Sequence, residues 1–201
     1  MVGTDPLEVD RLLAGGELRC PGCAGELRPW GHARWRTVRR QHGEVRRRPR
    51  RSCCSGCSAT HVLLPASCLS RRADDVAVIG AALLAKATGL GHRAIAAGLA
   101  RPVSTVRGWL RRFACRAESL RVLFTGLLHA LDPAVGVVVA TGSVFGDALD
   151  VFGLAAAAAA RMFGPRPAWQ FAASASDGLL LGPGPGRRCG AAVVRVATNT
   201  S

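Results

Sequence analysis

The sequence predicts a mainly α protein that carries a small β zinc ribbon, and three observations support this fold class. Two Cys-x-x-Cys pairs flank a stretch rich in arginine, as in a hairpin pinned by a metal ion. Apolar residues then recur with the period of α-helices, and a later run of alanines favours another helix. We therefore expect an N-terminal four-cysteine zinc-ribbon domain at 1–70, a trihelical helix-turn-helix domain at 71–131, and an alanine- and glycine-rich, partly helical region at 132–201.

The chain of 201 residues is strongly basic, with a formal net charge of +14. The excess is uneven along the chain. Residues 1–70 contain 12 basic and 6 acidic residues, residues 71–120 contain 9 and 3, and residues 121–201 contain 6 and 4. Positive charge concentrated in the first two segments indicates a polyanionic partner that binds there.

The first ten residues lack the basic segment and apolar run of a secretory signal peptide. The segment 134–160 is apolar, but Asp147 and Asp150 interrupt it, and a charge at the bilayer centre costs about 3 kcal/mol on insertion scales. We therefore expect no membrane partner and a cytoplasmic location. In that reducing compartment the eight cysteines are expected to bind metal rather than to form disulfides.

A short helix is predicted at 5–15, and the first Cys-x-x-Cys pair follows it. Each pair places two sulfurs on one tight turn, so that both can bind a single ion. Four thiolates in a tetrahedral array form a closed, structural zinc site. We predict one zinc ion bound by Cys20, Cys23, Cys54 and Cys57.

Three neighbouring residues leave the ligand set open. Cys53 could replace Cys54, and His61 could replace one of the sulfurs. Cys68 is a further candidate, although the apolar residues before it favour burial. Free buried thiols and a redox Cys-x-x-Cys are the competing interpretations. The second is disfavoured because two pairs are present and no βαβ pattern surrounds them.

The stretch from Glu26 to Arg50 predicts a β-hairpin, with a turn at residues 41–44. Ten arginines and only two glutamates lie on or beside it. A charge run is usually a solvated face, but this excess is better explained as a surface that contacts phosphates. The expected phosphate contacts are Arg46, Arg47 and Arg48.

A helix is predicted at 73–87, with Asp74 and Asp75 at its positive N-terminus. Two further helical patterns meet at a break at residues 100–102. The break is expected there because Pro102 is not tolerated in the interior of a helix. The second has the apolar stripe Val106, Leu110 and Phe113. We expect this helix to continue to about residue 131.

The opposite face of that second helix is polar and cationic. Hydroxyl groups near its start can cap the helix or bind a phosphate. A helix-turn-helix presents such a face to the major groove of double-stranded DNA. The competing interpretation is an ordinary amphipathic helix pair with solvated arginines. The predicted DNA contacts are Ser104, Thr105, Arg107, Gly108, Arg111 and Arg112.

Residues 92–113 resemble the helix-turn-helix of bacterial transposases and related regulators, in which the run I-A-x-x-L-x-R-x-x-S-T-V-x-x-x-L-x-R recurs. The matching residues are Ile95, Ala96, Leu99, Arg101, Ser104, Thr105, Val106, Leu110 and Arg112. The cysteine pairs and the intervening arginines resemble the zinc ribbon of insertion-sequence transposases, with the doubled Cys53-Cys54 as a departure. The resemblance implies a transposase-derived, DNA-binding protein of high-GC bacteria, located at the nucleoid.

The last region gives fewer signals. Residues 148–163 are helix-prone, 182–186 predict a loop, and 192–201 predict either a strand or a disordered tail. Trp169 and Phe171 are expected to be packing residues, and any homodimer is expected to form through 132–201.

Catalysis is not expected. A transposase needs three carboxylates that bind two Mg²⁺ ions, and only four aspartates and no glutamate follow Glu118. The sequence thus favours a sequence-specific DNA-binding protein that is not an enzyme. The alternative is a non-catalytic module that binds protein or RNA through its zinc ribbon and basic surface.

Overall fold

The computed structural model describes residues 5–140 and 142–182. Residues 183–186 of the predicted loop and the tail predicted at 192–201 lie outside these ranges. Within them the chain forms seven helices, which are α1 (Pro6–Ala14), α2 (Val76–Ala87), α3 (His92–Gly98), α4 (Val103–Ala114), α5 (Ala117–Leu131), α6 (Val144–Phe163) and α7 (Ala168–Ala175). The strands are β1 (Leu27–His32), β2 (Arg36–Arg39), β3 (Glu44–Arg47), β4 (Arg50–Cys54) and β5 (Thr60–Leu63).

The predicted hairpin is present as two consecutive antiparallel ladders along its length. Strand β1 pairs with β4, and β2 pairs with β3 at the tip, where Arg40 N–H donates to the Gly43 carbonyl at 2.9 Å. Strand β5, which the sequence analysis did not predict, adds to the other side of β4 and gives the order β1-β4-β5. Helix α1 packs on this sheet in a small apolar core that includes Val9, Leu12, Leu13, Leu18, Leu27 and Leu63.

Helices α2, α3 and α4 pack on one another. The break between α3 and α4 lies where the sequence predicts it, with Ala100 in the left-handed region at φ 50°. The predicted apolar stripe of α4 is buried together with Trp109. Helix α2 begins later than predicted, at Val76, because Asp75 is its N-cap and accepts a hydrogen bond from Ala77 N–H at 2.9 Å.

The predicted continuation of α4 to residue 131 is wrong, since Cys115 and Arg116 form a turn between α4 and α5. The cause is the change of packing partner. Helix α4 packs chiefly on α2 and α3, whereas α5 packs chiefly on α6 and buries Ala117, Leu120, Phe124 and Leu128. A straight helix could not direct both apolar faces to these different partners.

One hydrophobic core extends from Leu69 to Leu181 and includes residues of α2 through α7. The boundary predicted after residue 131 therefore falls inside this core. The ring centroid of Phe152 lies 5.4 Å from that of Phe124 and 4.7 Å from that of Trp169, so Trp169 is a packing residue, as predicted. No helix of the described residues has both the length and the apolar character that a membrane span requires.

Candidate metal centre and basic surface

The four predicted cysteine ligands converge. The Sγ atoms of Cys20, Cys23, Cys54 and Cys57 all lie within 4.8 Å of one another. Cys20 Sγ is 3.7 Å from Cys57 Sγ, and Cys23 Sγ is 3.4 Å from Cys54 Sγ. Tetrahedral Zn–S bonds of about 2.3 Å place neighbouring sulfurs about 3.8 Å apart. The spacing therefore fits a single tetrahedrally coordinated metal ion.

The two cysteine turns have the same backbone geometry. The residue after each pair, Ala24 or Ser58, adopts φ 58°. Its N–H donates to the carbonyl of the first cysteine, from Ala24 to Cys20 at 2.8 Å and from Ser58 to Cys54 at 3.0 Å. Each turn thus holds its two sulfurs on one side, as a four-thiolate site requires.

Glycine is needed where the two turns approach each other. A Cβ at Gly25 would lie 2.9 Å from Cys54 Sγ and 3.2 Å from the backbone nitrogen of Gly56. Gly56 N–H in turn donates to Cys54 Sγ at 3.3 Å. Because Gly25 has no side chain, the two turns can lie close enough for their four cysteine sulfurs to bind one metal ion.

The sulfurs differ in their affinity for protons. Hydrogen bonds from the backbone N–H groups of Cys57 and Gly56 lower the pKa of Cys54 to about 6. The Gly25 N–H lowers the pKa of Cys23, but the sulfurs of Cys54, Cys57 and Cys20 outweigh it and raise the value to about 12. Closely spaced thiolates repel one another, and a bound cation removes that penalty. The site therefore favours a metal ion.

The structure decides among the alternative ligands. Cys53 and Cys54 are adjacent in β4, so their side chains point to opposite faces. The sulfur of Cys53 contacts the Ser58 carbonyl at 3.6 Å and is outside the cluster. Cys68 is buried elsewhere, with its sulfur 3.8 Å from Ser67 Oγ.

His61 lies beside the site rather than in it. It is buried in β5, and its Nε2 is 3.5 Å from Cys20 Sγ. Partners of this kind hold a ligand in place and adjust its basicity. His61 is thus a residue that supports Cys20, instead of a replacement for a sulfur.

The predicted phosphate contacts of the hairpin do not share one face. Thr37 and Arg46 form a cross-strand pair, and Arg36 and Arg47 form the next. Arg46 and Arg48 are exposed, whereas Arg47 on the other face is half-buried. None of the carboxylates in the described parts of the chain forms an ion pair with any of these three arginines.

The predicted polar face of α4 points away from its buried stripe. Ser104, Arg107 and Arg111 are exposed, and Thr105 is half-buried. No side-chain hydrogen bond caps the start of α4, so neither hydroxyl serves as its N-cap. Among residues 5–140 and 142–182, no carboxylate pairs with an arginine of this helix.

Gly108 and Arg112 interact within α4. Arg112 folds back along the helix, and its Nη1 donates to the Gly108 carbonyl at 3.2 Å. A Cβ at Gly108 would lie 2.9 Å from that nitrogen. The glycine therefore makes room for the Arg112 guanidinium.

Arginines from separate parts of the chain form a cationic group beside α4. Burial lowers the pKa of Arg72, and the charges of Arg112 and Arg71 lower it further. Arg36 donates to the Arg72 carbonyl. Arg34, Arg36, Arg71 and Arg72 line one open cavity of about 440 Å³. Like charges held this close favour a bound anion.

Asp74 has a role that its position in the sequence does not indicate. This residue is 2% exposed, and its carboxylate accepts from Arg39 Nη2 at 2.8 Å and from Arg101 Nε at 2.6 Å. Arg101 also donates to the Arg40 carbonyl at 2.8 Å. Asp74 was predicted to act at the start of α2. Instead it joins the hairpin to the turn between α3 and α4.

Comparison of the chain with family models, with curated proteins and with solved structures found no significant match in any of the three.

Proposed function

We propose that this protein binds double-stranded DNA in a sequence-specific manner, with α3 and α4 as a helix-turn-helix and α4 as the reading helix. The observation that carries the proposal is the outward face of α4, where Arg107 and Arg111 are exposed beside Ser104 and Thr105. Arginine can bond guanine O6 and N7 together, and the N-terminal residues of a reading helix lie nearest the bases.

The basic surface around α4 supplies the affinity that such reading needs. The cavity arginines Arg34, Arg36, Arg71 and Arg72 lie beside Arg112 of the helix, and the exposed Arg46 and Arg48 extend the charge along the hairpin. Contacts with phosphates supply most of the affinity for any sequence and fix the register of the protein on the duplex. In this proposal the hairpin contacts the phosphate backbone while α4 reads the bases.

The metal in this proposal is a structural zinc ion. Four thiolates without an open coordination position are typical of structural rather than catalytic zinc, and soft sulfur ligands select zinc over magnesium or calcium. The ion closes the base of the hairpin, and the Asp74 ion pairs link the tip of that hairpin to the turn before α4. Zinc thereby acts on DNA binding indirectly, by positioning the hairpin arginines.

The proposal is for binding without catalysis. Of the aspartates after Glu118, Asp132 pairs with Arg161 at 2.8 Å, and Asp147 lies in the first turn of α6. No three carboxylates of residues 5–140 and 142–182 come as close together as the four cysteine sulfurs do. The protein is therefore proposed as a transposase-related DNA binder or regulator that lacks a nuclease core.

The test is selection of bound duplexes from fragmented genomic DNA by the zinc-loaded protein, followed by affinity measurements on the selected site. We expect Arg107→Ala and Arg111→Ala each to weaken binding to that site by about tenfold, because a bidentate contact with guanine is lost. The affinity for random duplexes should fall much less, because only one positive charge is lost there. Arg166→Ala, in the connection between α6 and α7, makes the same charge change away from α4 and serves as the control.

The contrary result is equal weakening on the selected and random duplexes. In that case α4 does not read bases. The alternative function, a non-catalytic module that binds RNA or protein through the zinc ribbon and the basic surface, would then replace sequence-specific DNA binding.

A further inference from the structure

An aromatic ring is exposed beside cationic groups where the two ladders of the hairpin meet, between β1 and β2. Trp35 is 57% exposed, although it directly precedes β2. The guanidinium carbon of Arg46 lies 5.2 Å from the centroid of its ring, and that of Arg48 lies 6.0 Å away. These distances fit cation–π contacts, which keep an exposed indole in a defined orientation.

A cavity of about 280 Å³ opens beside this ring. Its apolar walls include Val9, Leu63 and Pro65, and Arg46, Arg47, Arg48 and Arg50 form its rim. Arg50 is paired with Asp10 at 2.6 Å. The other three have no ion-pair partner among the described residues, so the rim keeps a net positive charge.

An aromatic ring, apolar walls and an adjacent guanidinium rim together match the chemistry of a nucleotide. The base stacks on an indole or guanidinium plane, and the phosphate binds the neighbouring cations. The volume lies at the lower end of ligand pockets, which suits one nucleotide rather than a stacked pair. In a duplex each base is stacked between its neighbours, so only an unpaired base can lie flat on Trp35.

We propose that this Trp35 pocket binds one unpaired nucleotide of a single-stranded nucleic acid, with the base on Trp35 and the phosphate at Arg46 and Arg48. The pocket shares Arg46 and Arg48 with the hairpin surface of the proposed function, but no residue of α4 lines it, and the proposed function assigns no role to Trp35. The inference therefore goes beyond the proposed function and does not depend on duplex recognition by α4.

The test measures binding of the full-length, zinc-loaded protein to a short oligothymidylate by fluorescence anisotropy of an end label. We expect Trp35→Leu to weaken this binding by about fivefold or more, since each stacked base contributes substantially. Trp35→Phe should retain part of it. Trp30→Leu is the matched control, because Trp30 is 59% exposed but no arginine of the described residues lies over its ring, and it is not among the residues that line the cavity.

A blunt duplex in the same assay separates this proposal from duplex binding. Trp35→Leu should leave duplex affinity within about twofold, whereas the α4 variants should change duplex affinity alone. Equal losses for Trp35→Leu and Trp30→Leu on oligothymidylate would overturn the proposal. So would an equal loss on single strand and duplex in a Trp35→Leu protein that retains its zinc and its melting temperature.

Discussion

At the scale of single residues, Asp74 has the most consequential contacts in the described structure. Its carboxylate is almost fully buried and faces two guanidinium groups, one from β2 and one from the turn between α3 and α4. The side chain of Arg101 is only 12% exposed. Removing one member of a buried charge network leaves the others unpaired, which costs far more than losing a surface pair.

We expect Asp74→Asn to lower the free energy of unfolding by about 3 kcal/mol, because Arg101 then lacks a buried counter-charge. Urea unfolding measures this. Asp75→Asn is the matched control: it makes the same change one residue along, and asparagine is an equally good N-cap for α2. If both variants lower the free energy of unfolding by similar amounts, the Asp74 ion pairs do not contribute the expected extra stability.

The sequence identified the four cysteines that cluster, but it did not indicate the role of Asp74, and the reason is the sequence distance between the residues in contact. Local backbone geometry positions the two sulfurs of each cysteine turn, and the Cys-x-x-Cys spacing in the sequence indicates that geometry. The choice between Cys53 and Cys54 required the register of β4, which places Cys54 opposite Leu27 on the buried face. The partners of Asp74 are distant in sequence, and no local pattern indicates them.

At the scale of elements, the contact between α2 and α7 is unusually close. Gly80 lies inside α2, where glycine costs about 1 kcal/mol relative to alanine. A Cβ at this position would overlap the ring of Trp169. The packing of the indole directly on the α2 backbone therefore explains a residue that helix propensity disfavours.

Gly80→Ala should destabilise the protein by about 2 kcal/mol or more, since the added methyl group must displace the half-buried Trp169 ring, which packs against the core. The control is Gly153→Ala in α6, an exposed position where a Cβ would meet nothing within 4 Å. There the better helix propensity of alanine should raise stability by up to about 1 kcal/mol. Thermal melting compares the two, and a stabilised Gly80→Ala protein would contradict the close packing of α2 and α7.

Element boundaries followed from the sequence where a residue marks them. Pro102 indicates the break before α4, and Asp75 caps α2. The turn at Cys115 and Arg116 has neither proline nor glycine, so only the packing of α5 on α6 explains it. Strand β5 was missed because its pairing with β4 depends on the second cysteine turn, which brings the two strands together.

At the scale of the whole molecule, two hydrophobic cores differ in size and in what holds them. The larger one joins α2 to α7. The smaller one lies between α1 and the sheet, has few apolar residues and includes Cys20 and Cys54, two of the four clustered cysteines. A core this small rarely supplies enough stability alone, and a bound metal ion commonly makes up the difference. The dependence of folding on zinc should therefore be confined to one part of the chain.

We expect about one equivalent of zinc per chain, and its removal by a chelator should unfold the region around the sheet while the helical core remains. Far-ultraviolet circular dichroism should then keep most of its helical signal, and the tip of the hairpin should become sensitive to protease. Cys20→Ser should reproduce the effect, because the remaining thiolates bind zinc less tightly. Cys53→Ser, one residue from a ligand but outside the cluster, should retain both zinc and stability. Less than about half an equivalent of zinc in protein purified without chelator would refute the site, as would equal zinc loss in the two serine variants.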